Sequence, residues 1–465
     1  MSSYSHLRYA EYLLLRISDP ASARLWFARL ANEITTAEHK REDYSLNLAL
    51  TSSGLSKLGL DRDALSSFPR TFVEGMTTEP RPRILGDTKD SSPERWRWGG
   101  PRNPVDILLI IFAADENGLA VRLKQRRDEF GQTGGIVELQ SLEGHYLPGG
   151  REHFGFADGI SQPYFEDSGS LVGSGRFGRT DPSNIVNAGE FILGYINSYG
   201  TLADSPRVHP SSDPNNLLSD DGTGMRDLGR NGTYLVFRQM AQHVAQFWRC
   251  LDVLTRQPDG SSDPIKREAL GAKFVGRWPS GAPLVLSPEN DNATLARANN
   301  FRYSEDPHGF ACPIGAHIRR ANPRDSFGRD RKTRDAALRS VNRHRILRRG
   351  RSYGPPINDP LIDDGLERGL HFICLNSDIE RQFEFIQHTW INNPVFDCLD
   401  GEVDPLVGMN PLNPDNDQDD RLMTLQKDPL RSRIHNLQRF ITVKGGAYFF
   451  VPGICALKYL AKIGS

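Results

Sequence analysis

No Cys-x-x-Cys pair occurs anywhere in the 465 residues. Cysteine is scarce, with five residues at positions 250, 312, 374, 398 and 455. The number is odd and the positions lie far apart. Neither a disulfide framework nor a zinc site is expected. Long apolar runs are missing too, and none reaches the roughly 18 residues needed to span a bilayer. Neither sign of charge dominates: 57 basic against 58 acidic residues leave a net charge of −1. Nothing here favours nucleic acid or an anionic membrane as a partner. The first residues, Met-Ser-Ser-Tyr-Ser-His, carry no charged lead into an apolar stretch and no twin arginine. A cytoplasmic protein starting at Met1 is expected.

What is present describes a soluble globular chain, 38% hydrophobic and 25% charged. Its length exceeds one ordinary core, so two domains are expected. Apolar runs read as strands at Tyr12–Ile17, Asn47–Thr51, Asp106–Ala113 and Gly135–Leu142. Helices are expected from Asp19-Pro20 to Asn32, from Ser53, and over Leu119–Glu129. That order is the split β-α-β pattern of a ferredoxin-like unit. The second half repeats it. Thr233–Arg238 reads as a strand, Gln239–Thr255 as a helix, Gly369–Leu375 as a strand, Asp378–Trp390 as a helix. Strands within Phe440–Val451 and a last helix follow. Thr201 to Arg230 is rich in Asp, Ser, Pro and Gly. The expectation is an α+β fold of two ferredoxin-like domains, 1–215 and 216–465, each an antiparallel sheet with helices.

Three segments carry chemistry. The first is Glu152-His153-Phe154-Gly155-Phe156-Ala157-Asp158-Gly159-Ile160-Ser161-Gln162-Pro163. Gly155 and Gly159 let the backbone approach something closely. An acid held beside Phe154 and Phe156 loses water, which raises its pKa and suits a proton shuttle. Asp158 also reads as a plain turn residue. The second segment is Cys312-Pro313-Ile314-Gly315-Ala316-His317-Ile318-Arg319-Arg320-Ala321-Asn322-Pro323-Arg324. Gly315 and Ala316 leave room for a large flat group against His317, and a neutral imidazole ligates iron well. A histidine bonded to backbone is the plainer reading. The third, Arg343-His344-Arg345-Ile346-Leu347-Arg348-Arg349-Gly350-Arg351-Ser352-Tyr353-Gly354, packs arginines around two apolar residues. It reads alternatively as a solvated basic face.

Together these segments resemble the dye-decolorizing peroxidases, a family of haem enzymes. Gly155-Phe156-Ala157-Asp158-Gly159 matches the family's Gly-x-x-Asp-Gly motif. His317 matches its proximal haem ligand and Arg348 its distal arginine. Further similar blocks are Glu190–Tyr195, Asn231–Arg238, Gly369–Cys374, Trp390–Pro394 and Gly445–Pro452. The resemblance implies haem held in the second domain and reduction of hydrogen peroxide, followed by oxidation of dyes, phenols or other aromatic one-electron donors. It implies His317 as iron ligand, Asp158 as acid and base, and Arg348 stabilising the breaking O–O bond. Alternation along a strand lets only one of Arg348 and Arg349 reach the cavity.

The same resemblance places Phe156, Gly159, Arg319, Leu370 and Phe372 against the cofactor. Arg319 and Arg324 are candidates for its propionates. Non-covalent haem b is implied, since no Cys-x-x-Cys-His exists for covalent attachment. Trp390 and Tyr353 are candidate electron relays at the surface. A haem carrier or iron-release protein is the alternative function. A monomer or homodimer is expected. Two further signals read as loops. Gly173-Ser174-Gly175-Arg176-Phe177-Gly178 has Asp181-Pro182 where a dinucleotide site needs a helix. Asp415, Asp417 and Asp419 lack the Gly and Glu of a calcium loop, having Asp420 and Gln426 there.

Overall fold

The computed structural model describes residues 4–38, 41–167, 170–172, 184–409 and 421–463. The glycine-rich 173–178 and the acidic 415–420 lie outside them. In the first half the main elements are β1 (Tyr9–Ile17), α1 (Pro20–Leu30), β2 (Tyr44–Leu50), β3 (Ile107–Ala113), α2 (Glu116–Thr133) and β4 (Ile136–His145). Their strands lie in the order β4-β1-β3-β2, all antiparallel. The second half contains β5 (Thr233–Gln242), α3 (Val244–Thr255), α4 (Pro264–Val275), α5 (His317–Ala321), β6 (Leu347–Arg348), β7 (Arg351–Tyr353), β8 (Gly369–Asn376), β9 (Ile441–Val451) and α6 (Ile454–Leu460). Here β9-β5-β8 lie side by side, and β6 and β7 share the far edge of β8. Each half thus places its last strand beside its first. This is the ferredoxin-like arrangement in an α+β fold.

The two sheets meet at both edges. Phe450 of β9 faces Leu50 of β2, and Ser352 of β7 faces His145 of β4. A strand inside such an arrangement has no wet face, which explains the unbroken apolar run of β3. Ile107, Leu109 and Ile111 enter the core under α1 and α2. Leu108, Ile110 and Phe112 enter a second core with Phe237 of β5 and Phe449 of β9, between the sheets. Alternation on the strand separates the two sets.

Local signals explain most boundaries. The Asp19 side chain accepts the Ser22 N–H at 2.7 Å and Pro20 opens α1. Two expectations are corrected. Gln239–Gln242 continues β5 rather than starting a helix, because Gln239–Ala241 pairs with β8, and Gln239–Gln242 pairs with β9 across a bulge at Gln239/Met240. The stretch after β8 is wound as π-helix over Glu380–Glu384 and Ile386–Ile391, not as α-helix. Among the described residues no helix is long and apolar enough to cross a membrane.

Candidate active site

Asp158, His317 and Arg348 all line one cavity, with Phe156, Gly159, Leu370 and Phe372. The three polar side chains come from distant parts of the chain. A tight loop between β4 and β5 delivers Asp158. Gly155 at φ +95° and Gly159 at φ +79° occupy the left-handed region that favours glycine. The loop is pinned by Asp158 N–H to the Gly150 carbonyl and by Ala157 N–H to the Pro279 carbonyl. Phe154 and Phe156 line the same cavity as Asp158. They are core residues, Phe154 against Phe247 and Phe156 stacked 6.0 Å from Trp248.

Arg348 ends β6. Its backbone N–H donates to Gln162 Oε1 at 3.0 Å, tying the strand to the Asp158 loop. Its Nη1 donates to Asp158 Oδ1 at 2.9 Å. The Gly159 N–H donates to the same oxygen at 2.6 Å. Asp158 Oδ2 has no hydrogen-bond partner among the described residues. The side chain is 40% accessible, and that surface opens onto the cavity. Arg349 turns away, its Nη1 donating to the Arg348 carbonyl.

The acidity of Asp158 runs opposite to the sequence-based expectation. Burial raises its pKa, but Arg348, the Gly159 N–H and His317 together outweigh it. The carboxyl is held below the usual carboxylate range. A cation at hydrogen-bond distance wins over desolvation here.

His317 opens α5. Its Nδ1 lies 2.8 Å from Asp404 Oδ2, a contact spanning 87 positions of sequence. Asp404 is fully buried. Its Oδ1 accepts from the N–H groups of Leu406 and Val407, both at 2.9 Å. Burial works against the His317 charge, yet Asp404 outweighs it and raises the imidazole's pKa. Asp404 itself is held low, burial being outweighed by His317 and the backbone N–H. Ionised Asp404 makes Nδ1 the donor, so in the neutral imidazole the lone pair is on Nε2. Arg320 braces this corner by donating to the carbonyls of Trp390, Asn393 and Glu402.

Four residues are placed differently from expectation. Gly315 makes room for Glu402, not for a flat group: a Cβ there would lie 2.2 Å from Glu402 Oε1. Arg319 does not line the cavity. It sits two residues after His317, on another side of the helix. Its Nη1 donates to the carbonyls of Asp306 and Cys312, and the guanidinium lies over Tyr303. Trp390 and Tyr353 are not at the surface, being 5% and 7% accessible. Trp390 lines the cavity, whereas Tyr353 stacks on His371.

The cavity wall fits a flat, anionic, iron-bearing group. Arg277, Arg324 and Arg345 line it with Arg348. Burial and mutual repulsion push Arg277 and Arg345 down to about 9. One guanidinium nitrogen of each is buried without a partner, Nη2 in both. Such a cluster calls for an anion. Among the described residues no group of three His, Cys, Asp or Glu converges to hold a bare metal ion. A lone histidine suits iron that a macrocycle already carries.

Known proteins decide the family. No protein-family model matches the chain. The dye-decolorizing peroxidase msp1 of Mycetinis scorodonius is 30% identical over 437 residues, covering 90% of this chain and 77% of its own. This chain belongs to the dye-decolorizing peroxidase family. The dye-decolorizing peroxidase AauDyP1 of Auricularia auricula-judae is 31% identical over 429 residues, covering 89% of this chain and 75% of its own. An ancestral D-type dye-decolorizing peroxidase superposes with TM-score 0.76 at 28% identity, covering 97% of this chain and 95% of its own. Dye-decolorizing peroxidases are haem-dependent, and this chain is a peroxidase of that kind.

Proposed function

We propose that this dye-decolorizing peroxidase binds non-covalent haem b through His317 and reduces hydrogen peroxide with Asp158 and Arg348. The observation that carries the reading is the Arg348–Asp158 contact at 2.9 Å, in the cavity that His317 lines. A haem carrier needs only His317 and an apolar slot, so the pair favours the enzyme. The chemistry that bound haem would supply is two-electron reduction of peroxide, followed by two one-electron oxidations of donor molecules.

In this reading His317 Nε2 would hold the metal, with Asp404 fixing the imidazole's tautomer and raising its basicity. Arg277, Arg324 and Arg345 take the propionates by charge-assisted hydrogen bonds. Asp158 Oδ2 accepts the proton of the arriving peroxide and returns it to the oxygen that leaves as water. Arg348 stabilises negative charge as the O–O bond breaks. Leu370 and Phe372 share one face of β8 and keep the cavity dry. The division into units 1–215 and 216–465, with haem in the second, belongs to the same proposal. So does a cytoplasmic location, which suits five free cysteines.

Arg348→Leu tests the electrostatics. It removes the cation that holds Asp158 low. The folded pKa of Asp158 therefore rises, and the acid limb of the peroxide rate profile moves to higher pH. Stopped-flow rates across the acid range check this, and an unmoved limb contradicts it. Trp390→Phe tests the donor side. Its indole lines the cavity and is closed off from bulky dyes, so the role proposed for it is the inner end of a relay. The expected result is loss of dye oxidation with the peroxide step unchanged. Equal loss of both refutes the relay.

A further inference from the structure

Glu152 lies in the Asp158 loop and lines the same cavity, but the chemistry above does not use it. Its Oε2 accepts from the Phe154 N–H at 2.8 Å and from Gln242 Nε2 at 2.6 Å. Its Oε1 accepts from the Phe156 N–H at 2.9 Å. These bonds fasten the loop to the end of β5, where Gln242 sits. Every one of these partners is neutral. A half-buried carboxylate without a cation disfavours its own charge. Burial pushes the Glu152 carboxyl up to about 7, against the hydrogen bonds from Phe154, Gln242 and Phe156, and the charge of Asp158 adds to the push.

Gln242 provides a second, independent observation. Its Oε1 is buried and has no hydrogen-bond partner. A protonated Glu152 needs an acceptor for its O–H. Half a turn of the Gln242 amide puts Oε1 where Nε2 now stands. The pair therefore has two hydrogen-bonded forms. Charged Glu152 accepts from Nε2, and neutral Glu152 donates to Oε1.

The other charged groups around Glu152 are committed elsewhere. Asp158 pairs with Arg348, and Arg238 of β5 with Asp87. Arg151 donates to the Gly155 carbonyl. Arg368, whose carbonyl takes the Gln242 N–H, pairs with Asp364. His153 bonds the Tyr353 carbonyl and is pushed down to about 4 by burial. His243 before α3 bonds Thr442 and is also lowered by burial. None of these supplies Glu152 with a counter-charge.

We propose that Glu152 is a positioning residue with a proton switch: its carboxyl fastens the Asp158 loop to Gln242 in both forms, and ionised, it slows peroxide cleavage. The proposal rests on the assignment of Asp158 and Arg348 above. A second negative charge near Asp158 opposes the charge that develops on the breaking O–O bond. The peroxide rate should therefore fall as pH rises through the ionisation of Glu152.

Infrared titration of the protein across neutral pH reads the switch without any turnover. A protonated-carboxyl band should disappear as pH rises in the wild type and be missing in Glu152→Gln. Gln242→Leu removes both the donor to the charged form and the acceptor for the neutral O–H, so the band should titrate at a pH different from that of the wild type. That variant keeps the test open if Glu152→Gln fails to fold. Peroxide rates should lose their alkaline fall in Glu152→Gln, and in Gln242→Leu the fall should move together with the band. The same band in wild type and Glu152→Gln, or a fall that neither variant moves, overturns the switch. A protein that ignores peroxide at every pH while the band titrates instead overturns the function proposed for Asp158 and Arg348.

Discussion

Replacing Asp158 with Asn is expected to slow the reaction with hydrogen peroxide by about 10²–10⁴-fold, the span of general acid–base catalysis. Asn has nearly the same shape. Its Oδ1 can still accept from Gly159 N–H and Arg348 Nη1, the two donors that Oδ1 of Asp158 serves now. The loop should therefore stay in place and haem content should not change. What is lost is the second oxygen, Oδ2, which accepts the proton. The depressed pKa sets the direction of the pH dependence. A group whose folded pKa is lowered stays ionised further into acid, so the wild-type rate should hold in mild acid and fall only below the usual carboxylate range. Stopped-flow mixing of haem-loaded protein with peroxide measures both. An unchanged rate in Asp158→Asn removes this residue from the reaction.

The second large effect concerns the metal ligand. His317→Ala should abolish normal haem retention. Asp404→Asn is the more discriminating variant. Asp404 Oδ1 is occupied by the N–H groups of Leu406 and Val407. An amide at this position keeps Oδ1 there and turns its NH₂ toward His317 Nδ1. Nδ1 must then accept, and the ring proton moves to Nε2, the nitrogen needed for iron. Haem affinity should drop by about 10–100-fold, as for other partners of metal-bound histidines. Haem titration followed by absorption reads this directly. Full retention with an unaltered spectrum in His317→Ala would refute the ligand assignment.

Much of this was legible in the chain. Apolar runs mark β1, β3, β5 and β8 because strands with two covered faces need no polar alternation. Asp158, His317 and Arg348 stand in short segments rich in glycine or arginine, and all three reach one cavity. What was not legible depends on long-range contacts. Asp404 lies 87 positions from His317, and nothing in its own surroundings marks it as a partner. The acidity of Asp158 was misjudged because neighbouring phenylalanines are visible in sequence while a guanidinium from a distant strand is not. Gly315 is small for the sake of Glu402, another distant side chain. Arg319 was misplaced for a local reason, since residues two apart on a helix do not share a face. Gln239–Gln242 reads as part of a helix until its pairing on both sides is known.

The most direct test of the account is the absorption spectrum of haem-loaded protein before and after one equivalent of hydrogen peroxide. A Soret band that changes within milliseconds and returns when a reducing dye is added is the expected result. Asp158→Asn should show the same starting spectrum and a much slower change. A haem spectrum that ignores peroxide in the wild type would contradict it and return Asp158 to the role of a turn residue.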